Sequence, residues 1–230
     1  MNSAIRRLDL GYFVRPASET GTGSSRVEPV LGYLVRLDDG GLLLFDTGLG
    51  QGEADLDAHY RPHRRGLDEA LHAAGVQVAD VTMVVNCHLH FDHCGGNGRF
   101  PGKPIIVQRS ELRFAYEPGY TLPELVDFPG VRYQMTDGET TLAPGVFVVP
   151  TPGHTDGHQS LVVRRGDGTV ILAGQAHDFA TEMAGDYLSR RAEQDGAGPP
   201  LPQYAPWLDR LLEFDPARIV FAHDFAVFEP

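Results

Sequence analysis

The apolar run VTMVVN (81–86) leads without a break into CHLHFDHCGGN (87–97), which puts three histidines and an aspartate within six consecutive positions, 88–93. A run of this length and composition reads as a buried strand. Gly95 and Gly96 then let the backbone pass closely behind it. A polar cluster delivered by a buried strand has to sit at that strand's end. The same arrangement recurs along the chain. DTG (46–48) closes the run GLLLFD, TPGHTDGH (151–158) follows GVFVVP, and RIVFAHD (218–224) finishes on His223 and Asp224. Any fold for this chain has to account for polar groups that recur where strands stop, a pattern that matters more than any single histidine.

The remaining elements fit around that requirement. GYFVR (11–15), GYLVRL (32–37) and GLLLFD (41–46) read as strands, with DDGG (38–41) a hairpin turn between the last two and the polar segment 16–29 a loop. From Glu53 to Ala74 the pattern turns helical. Leu67, Ala70, Leu71 and Ala74 share one face, Pro62 interrupts the early part, and Gly75 suits a C-cap. IIVQ (105–108) is a strand followed by a helix over 110–116, whereas proline and glycine break 117–130 too often for a regular element. VRYQM, GVFVVP, HQSLVVRR and GTVILAG are further strands, with GDG (166–168) a hairpin turn, and a helix around 204–213 precedes the last strand. A length of 230 residues suits one domain, 1–230, with a substantial core.

Charge narrows the partners. A net charge of −12 opposes a nucleic-acid backbone or an anionic membrane as the main partner. No run is long enough to cross a bilayer and the N-terminal stretch lacks an apolar export core, so a cytoplasmic location is expected. The only two cysteines, Cys87 and Cys94, bracket the histidine cluster. Their spacing is not that of a zinc ribbon, and they read as small packing residues, with direct ligation the lesser alternative.

Imidazole and carboxylate are zinc-type ligands. Four of them in six residues would crowd one tetrahedron, so His88, His90, Asp92 and His93 point to two neighbouring subsites. His154 and His223 are the distant ligand candidates, while His158 suits packing behind a ligand. His59, His63 and His72 belong on the surface. Asp46, at a strand end, either bonds its own turn or buttresses a metal-bound imidazole.

HLHFDH, DTG, TPGHTDGH and the terminal FAHD together resemble the metallo-β-lactamase superfamily, and the phenylalanine in the motif with the following CGGN resembles its N-acyl-homoserine lactonase branch. The resemblance implies an αβ/βα sandwich, that is, two mixed sheets with helices on the outer faces and one or two Zn²⁺ at one rim. It assigns His88, His90 and His154 to the first subsite, and Asp92, His93 and His223 to the second. The family bridges its metals with an acidic residue after the LAG strand, but here that position is Gln175. A glutamine oxygen can coordinate yet brings no charge, so the second subsite is expected to be weakened unless His177 or Asp178 turns inward. The lactonase branch carries a substrate-contacting tyrosine where this chain has Asp178. Tyr116 or Tyr187 would have to replace it from a loop.

The resemblance implies hydrolysis of a small lactone or ester, with Asp92 orienting the nucleophile and Asp92 or Asp178 carrying the proton. Tyr120, Leu122, Leu125 and Phe128 either hold an acyl chain or form their loop's own core. A thioester hydrolase of the glyoxalase II type is the alternative, although the C-terminal helical domain of that family is not expected here. A metal- or ligand-binding protein that retains the fold without turnover is the alternative of a different class. The expected partner is a small molecule, and the family also implies a homodimer.

Overall fold

The structure, a computed structural model, describes residues 5–230. Its elements run β1 (Ile5–Arg15), β2 (Arg26–Arg36), β3 (Leu42–Phe45), α1 (Ala54–Tyr60), β4 (His63–Arg64), α2 (Leu67–Ala73), β5 (Met83–Val85), α3 (Phe91–Cys94), β6 (Ile105–Gln108), α4 (Arg109–Ala115), α5 (Pro123–Val126), β7 (Tyr133–Thr136), β8 (Thr140–Ala143), β9 (Val146–Pro150), β10 (Gln159–Val163), β11 (Thr169–Leu172), α6 (Ala180–Gln194), α7 (Trp207–Leu212) and β12 (Pro216–Val220). Two sheets form. The first is ordered β4-β1-β2-β3-β5-β6-β7 and the second β12-β11-β10-β9-β8. Both are mixed. In the first, β3, β5, β6 and β7 run parallel beside the antiparallel β1–β2–β3 meander. In the second, only the β11–β12 pair is parallel.

Alternation along the strands explains why the sheets stack in the middle of four layers. In β3, Leu43 and Phe45 point to the other sheet while Leu42 and Leu44 face outward. In β10, Leu161 and Val163 point inward and Val162 outward. With both faces apolar, each sheet needs cover on both sides. Leu31, Tyr33, Val85 and Ile106 meet Val148, Leu161 and Leu172 between the sheets. Leu71 of α2 and Ala115 of α4 cover the outer face of the first sheet. Met183 of α6 with Trp207, Leu208 and Leu211 of α7 cover that of the second. This is the expected αβ/βα sandwich.

Several boundaries differ from the sequence reading. β2 begins at Arg26, so 26–29 is strand rather than loop, and the polar loop shrinks to 16–25. The helical stretch 53–74 divides into two seven-residue helices around the bridge strand β4, as Pro62 foreshadows. One helical turn, α5, forms inside 117–130 with Pro123 in its first turn, where proline costs nothing. The sequence reading assigns no element to 180–194, yet α6 is the longest helix among the described residues. Its signal is faint because only Ala180 and Met183 are buried on it.

Every strand that leads to a candidate ligand ends on one rim. β3 delivers Asp46, β5 the histidine loop, β9 the loop with His154, β11 Gln175, and β12 His223. Backbone bonds staple these ends together. Asp46 N–H donates to Val85 O (2.9 Å), Gln159 N–H to Cys87 O (2.9 Å), Leu31 N–H to Ala222 O (3.0 Å) and Ala222 N–H to Gly174 O (2.8 Å). Gly157, in the loop after β9, lies against the first turn of α4. A Cβ there would be driven into the backbone of Glu111. Gly157→Ala is therefore expected to cost about 1–3 kcal/mol. Thermal denaturation should read this as a fall of roughly 2–12 °C in Tm, and an unchanged Tm would refute so close an approach.

Candidate metal centre

Two groups of ligand-type atoms converge at the rim. In the first, His88 Nε2 lies 3.0 Å from His90 Nδ1, which lies 3.1 Å from His154 Nε2. In the second, Asp92 Oδ2 is 3.4 Å from both His93 Nε2 and His223 Nε2, and those nitrogens are 3.2 Å apart. The groups adjoin through the His88 and His93 rings, 4.1 Å between centroids. Gln175 Oε1 stands 3.1 Å from His93 Nε2, so the amide oxygen faces the second group.

Each imidazole of the second group is aimed by a partner on its far side. His93 Nδ1 faces Asp46 Oδ2 at 3.0 Å, and His223 Nδ1 donates to Pro29 O at 2.8 Å, leaving both Nε2 atoms for the centre. Asp46 is fully buried in a left-handed conformation (φ 60°) that aspartate tolerates better than most residues. Besides His93 it accepts Cys87 N–H (2.9 Å) and the Cys87 thiol (3.0 Å). Asp46 thus buttresses a ligand-type imidazole rather than its own turn. Cys87 serves as a hydrogen-bonding spacer, with its Sγ also 3.1 Å from His88 Nδ1. Cys94 gives its thiol to Leu89 O. His158 has both ring nitrogens engaged, one with Thr151 Oγ1 (2.8 Å) and the other accepting Gln175 N–H (3.0 Å), so it packs behind the centre.

Electrostatics sort the histidines. Burial, then the neighbouring imidazoles, pushes His88 well below its ordinary range, and burial takes His90 down to about 4. Both present lone pairs at neutral pH. Burial also opposes charge on His93, but Cys87, Asp92 and Asp46 outweigh it and push that imidazole up. Because burial pushes the Cys87 thiol up as well, the two carboxylates do most of this work. Burial favours the neutral acid at Asp92, and His93 with His223 overcomes it and holds the carboxyl ionised.

The donor set fits a divalent cation. Two nitrogens each about 2.1 Å from one ion lie at most about 4.2 Å apart. The adjacent nitrogen pairs at this rim, separated by 3.0, 3.1 and 3.2 Å, are well inside that limit. His88, His90, His154 and His223 offer neutral imidazoles, and a cation at the second group would take the place of the proton that Asp92 and Asp46 favour on His93. His88, His90 and His154 would hold one ion, and Asp92, His93 and His223 a second with Gln175 Oε1 in reach.

The other candidates go elsewhere. His177 turns to Asp186 (3.1 Å) and packs 5.3 Å from the Trp207 ring. Asp178 gives one oxygen to the Gln175 amide (2.9 Å) and the other to Arg26 (2.6 Å). Both oxygens are thus turned to Gln175 and Arg26 rather than to a ligand-type histidine. Tyr116 is exposed and Tyr187 packs on Phe228, so neither supplies the missing tyrosine. Tyr120 lies over His90 instead, 4.6 Å between rings, with its hydroxyl held by Glu111. Glu111 escaped the sequence reading. Fully buried, it accepts Leu89 N–H (2.7 Å), the Thr155 hydroxyl (2.8 Å) and the Tyr120 hydroxyl, and so ties together both histidine loops and the pocket wall. An acidic residue at the start of a helix is too common to stand out, and its three partners lie 9 to 44 positions away.

The sequence profile of the metallo-beta-lactamase superfamily matches residues 25–223. The chain belongs to that superfamily. An N-acyl homoserine lactonase of a Bacillus species is 34% identical over 157 residues, covering 63% of this chain and 62% of the relative. The chain thus matches less than two thirds of that relative's length. The N-acyl homoserine lactonase AttM of Rhizobium radiobacter is 40% identical over 120 residues, 47% of this chain and 45% of the relative. A solved N-acyl homoserine lactone hydrolase with the product N-hexanoyl-L-homoserine at its catalytic metal centre superposes with a TM-score of 0.73. It is 25% identical, with 98% of this chain and 95% of that one covered. A probable metal-dependent hydrolase of Staphylococcus aureus, 14% identical with a TM-score of 0.72 over 99% and 96% of the two chains, shares the fold.

Asp46→Ala removes the group that aims His93 and leaves in place the six side chains that would hold the two ions. Affinity for the more weakly held cation is expected to fall about 10- to 100-fold, measured by competition with a chromophoric chelator. Equal affinity in both proteins would show that Asp46 does not orient the ring.

Proposed function

We propose that this chain is a metal-dependent hydrolase that opens small lactones, with N-acyl-homoserine-lactone-like esters as its substrate class and zinc as its metal. The observation that carries the reading is the convergence of six ligand-type side chains from distant segments into two adjoining groups beside a pocket. The superfamily membership and the lactonase relatives support the activity. The set of imidazole nitrogens with one carboxylate supports zinc over calcium or magnesium, which favour oxygen-only shells.

The pocket beside the histidines has a volume of about 420 Å³, within the range of small-molecule sites. Phe13, Tyr60 and Phe91 form an aromatic wall, Tyr120 and Leu122 face it, and His90, Asp92, His154 and Gln175 lie at the floor. Of the four residues expected to hold an acyl chain or form a core, Tyr120 and Leu122 line this pocket, while Leu125 and Phe128 pack on the core beneath. A larger cavity of about 580 Å³ lies on the other side of the histidine loop and contains no histidine. Two of its arginines are spent on Asp57 and Asp68, so the smaller pocket is the one with chemistry at its floor.

A bound divalent cation supplies a polarised carbonyl and acidified water. The chain does the rest. Asp92, ionised and buried at the floor, is placed to align the attacking water and to accept its proton for the departing ring oxygen. The aromatic wall excludes bulk water from an acyl arm. Asp178 positions Gln175 rather than moving a proton.

The test combines metal analysis of the purified protein with a pH-indicator screen of lactones, thioesters and β-lactams. Lactone turnover with bound zinc is expected. His88→Ala should lower kcat/KM at least about 100-fold, beyond what loss of an orienting partner costs, and reduce bound metal. Thioester turnover alone would transfer the assignment to thioester hydrolysis. Metal-loaded protein that turns over none of the three classes would overturn the enzymatic reading.

A further inference from the structure

Position 175 combines a neutral side chain with a fixed orientation. Gln175 is buried, its backbone N–H is bound by His158, its Oε1 faces His93 Nε2, and its Nε2 donates to Asp178 Oδ1. An amide can present either end to a neighbour, and what selects the end here is Asp178. The second oxygen of Asp178 receives Arg26 Nη2 at 2.6 Å. Arg26 is itself immobilised, since its Nε donates to the fully buried Glu28 (2.7 Å) and its guanidinium lies 4.4 Å over the Phe179 ring. Glu28 in turn takes two bonds from Arg15, at 2.7 and 2.8 Å. A guanidinium only donates and an ionised carboxylate only accepts. From Arg26 inward, every donor and acceptor is therefore determined, and the relay of bonds ends with the glutamine oxygen turned to the Asp92–His93–His223 group.

We propose that Asp178, clamped by Arg26, is a positioning residue that locks Gln175 with its oxygen toward the second cation subsite, and that it supplies from one amide further out the negative charge a carboxylate at 175 would place there. The proposal rests on the reading that this group takes a cation. It does not require turnover. Asp178 touches no ligand-type histidine, so its influence passes through the orientation of Gln175 and through its own field.

Asp178→Asn separates this role from a packing role. Arg26 still demands an oxygen, so the new amide must present Oδ1 to Arg26 and its nitrogen to Gln175. Gln175 must then turn its own oxygen outward and aim an NH₂ group at the subsite, where a donor repels a cation. Zn²⁺ and Co²⁺ titrations of the metal-free full chain, by chelator competition and by the visible Co²⁺ spectrum, read the two subsites without reference to activity. In Asp178→Asn the second ion is expected to weaken about 10- to 100-fold, the range for outer partners of metal ligands, with the first ion unchanged. The first ion serves as the control for an intact fold. Gln175→Asp is expected to tighten the second ion. In the double variant Gln175→Asp/Asp178→Asn that tightening should persist, because a carboxylate has no wrong end. A second-ion affinity within twofold of the parent in Asp178→Asn would overturn the proposal. So would a double variant as weak as Asp178→Asn alone, or a parent protein that binds only one ion at saturation. Loss of lactone turnover with both ions still bound would count against the proposed activity and leave this inference standing.

Discussion

A single carboxylate, that of Asp46, ties the histidine loop to the rim of the first sheet. It is fully buried, its backbone is left-handed, and it holds the Cys87 amide, the Cys87 thiol and His93 Nδ1 together. The residue just before it, Phe45, is paired on both sides within the sheet, so Asp46 inherits a fixed position from the strand ladder. The loop that follows β5 is then threaded onto that carboxylate rather than left to find its own conformation. Ligand geometry held this way belongs to the sheet. Small displacements of the more exposed loops leave it in place.

Charge at the rim has a pattern that points to a cation. Asp46, Asp92 and Glu111 are buried carboxylates, and among the described residues none has an arginine or lysine ion pair. Their partners are N–H, S–H, O–H and imidazole groups. Glu28 is the contrast, because it is equally buried and carries two arginines. Anions without such permanently charged partners are costly in a protein interior. Asp46 and Asp92, both set against the imidazoles, leave a field that a metal ion would neutralise. Gln175 removes one negative charge from the middle of that field and Asp178 restores one at its margin, where Arg26 partly cancels it. The second group is thus the less negative of the possible arrangements. A cation there would be held more by imidazole nitrogens than by charge.

Much of this was legible in the sequence because strand ends announce themselves. Apolar runs that stop at His88, Asp46 or His154 place those side chains on a rim whatever the detailed pairing. The sandwich followed from the resemblance that HLHFDH, DTG and TPGHTDGH carry, while the apolar runs alone reached only two strand-rich halves with helices. What could not be read had a different character. The partner of Asp178 is Arg26, 152 positions away, and the arginine looked like part of a polar loop until β2 extended through it. Glu111 carries no local signature of the three bonds it accepts. Helix α6 was silent because its contact with the second sheet is made mainly through Met183 and Ala180. Apolar periodicity reports a broad buried stripe and is blind to a helix that docks through one large side chain. His177 and Asp178 were adjacent and chemically plausible, yet one turns to Asp186 and the other to Gln175. Sequence order does not decide which of two neighbours faces inward at a bend.

Several features that lower stability are gathered at the rim. Asp46 with its left-handed backbone, the buried carboxylates without arginine or lysine, the crowded imidazoles and the close approach of Gly95 to Leu49 and Gly50 all lie beyond the last paired residue of a strand. Beneath them the space between the sheets is filled by Leu, Val, Ile and Phe side chains with almost no exposure. Strain placed at a strand end cannot travel far, because the ladder below is already fixed by its own hydrogen bonds and packing. The same strain in a central layer would shift both sheets. A binding centre with conflicting local demands is therefore tolerated at this edge, where a rigid frame absorbs its cost and the pocket opens directly above it.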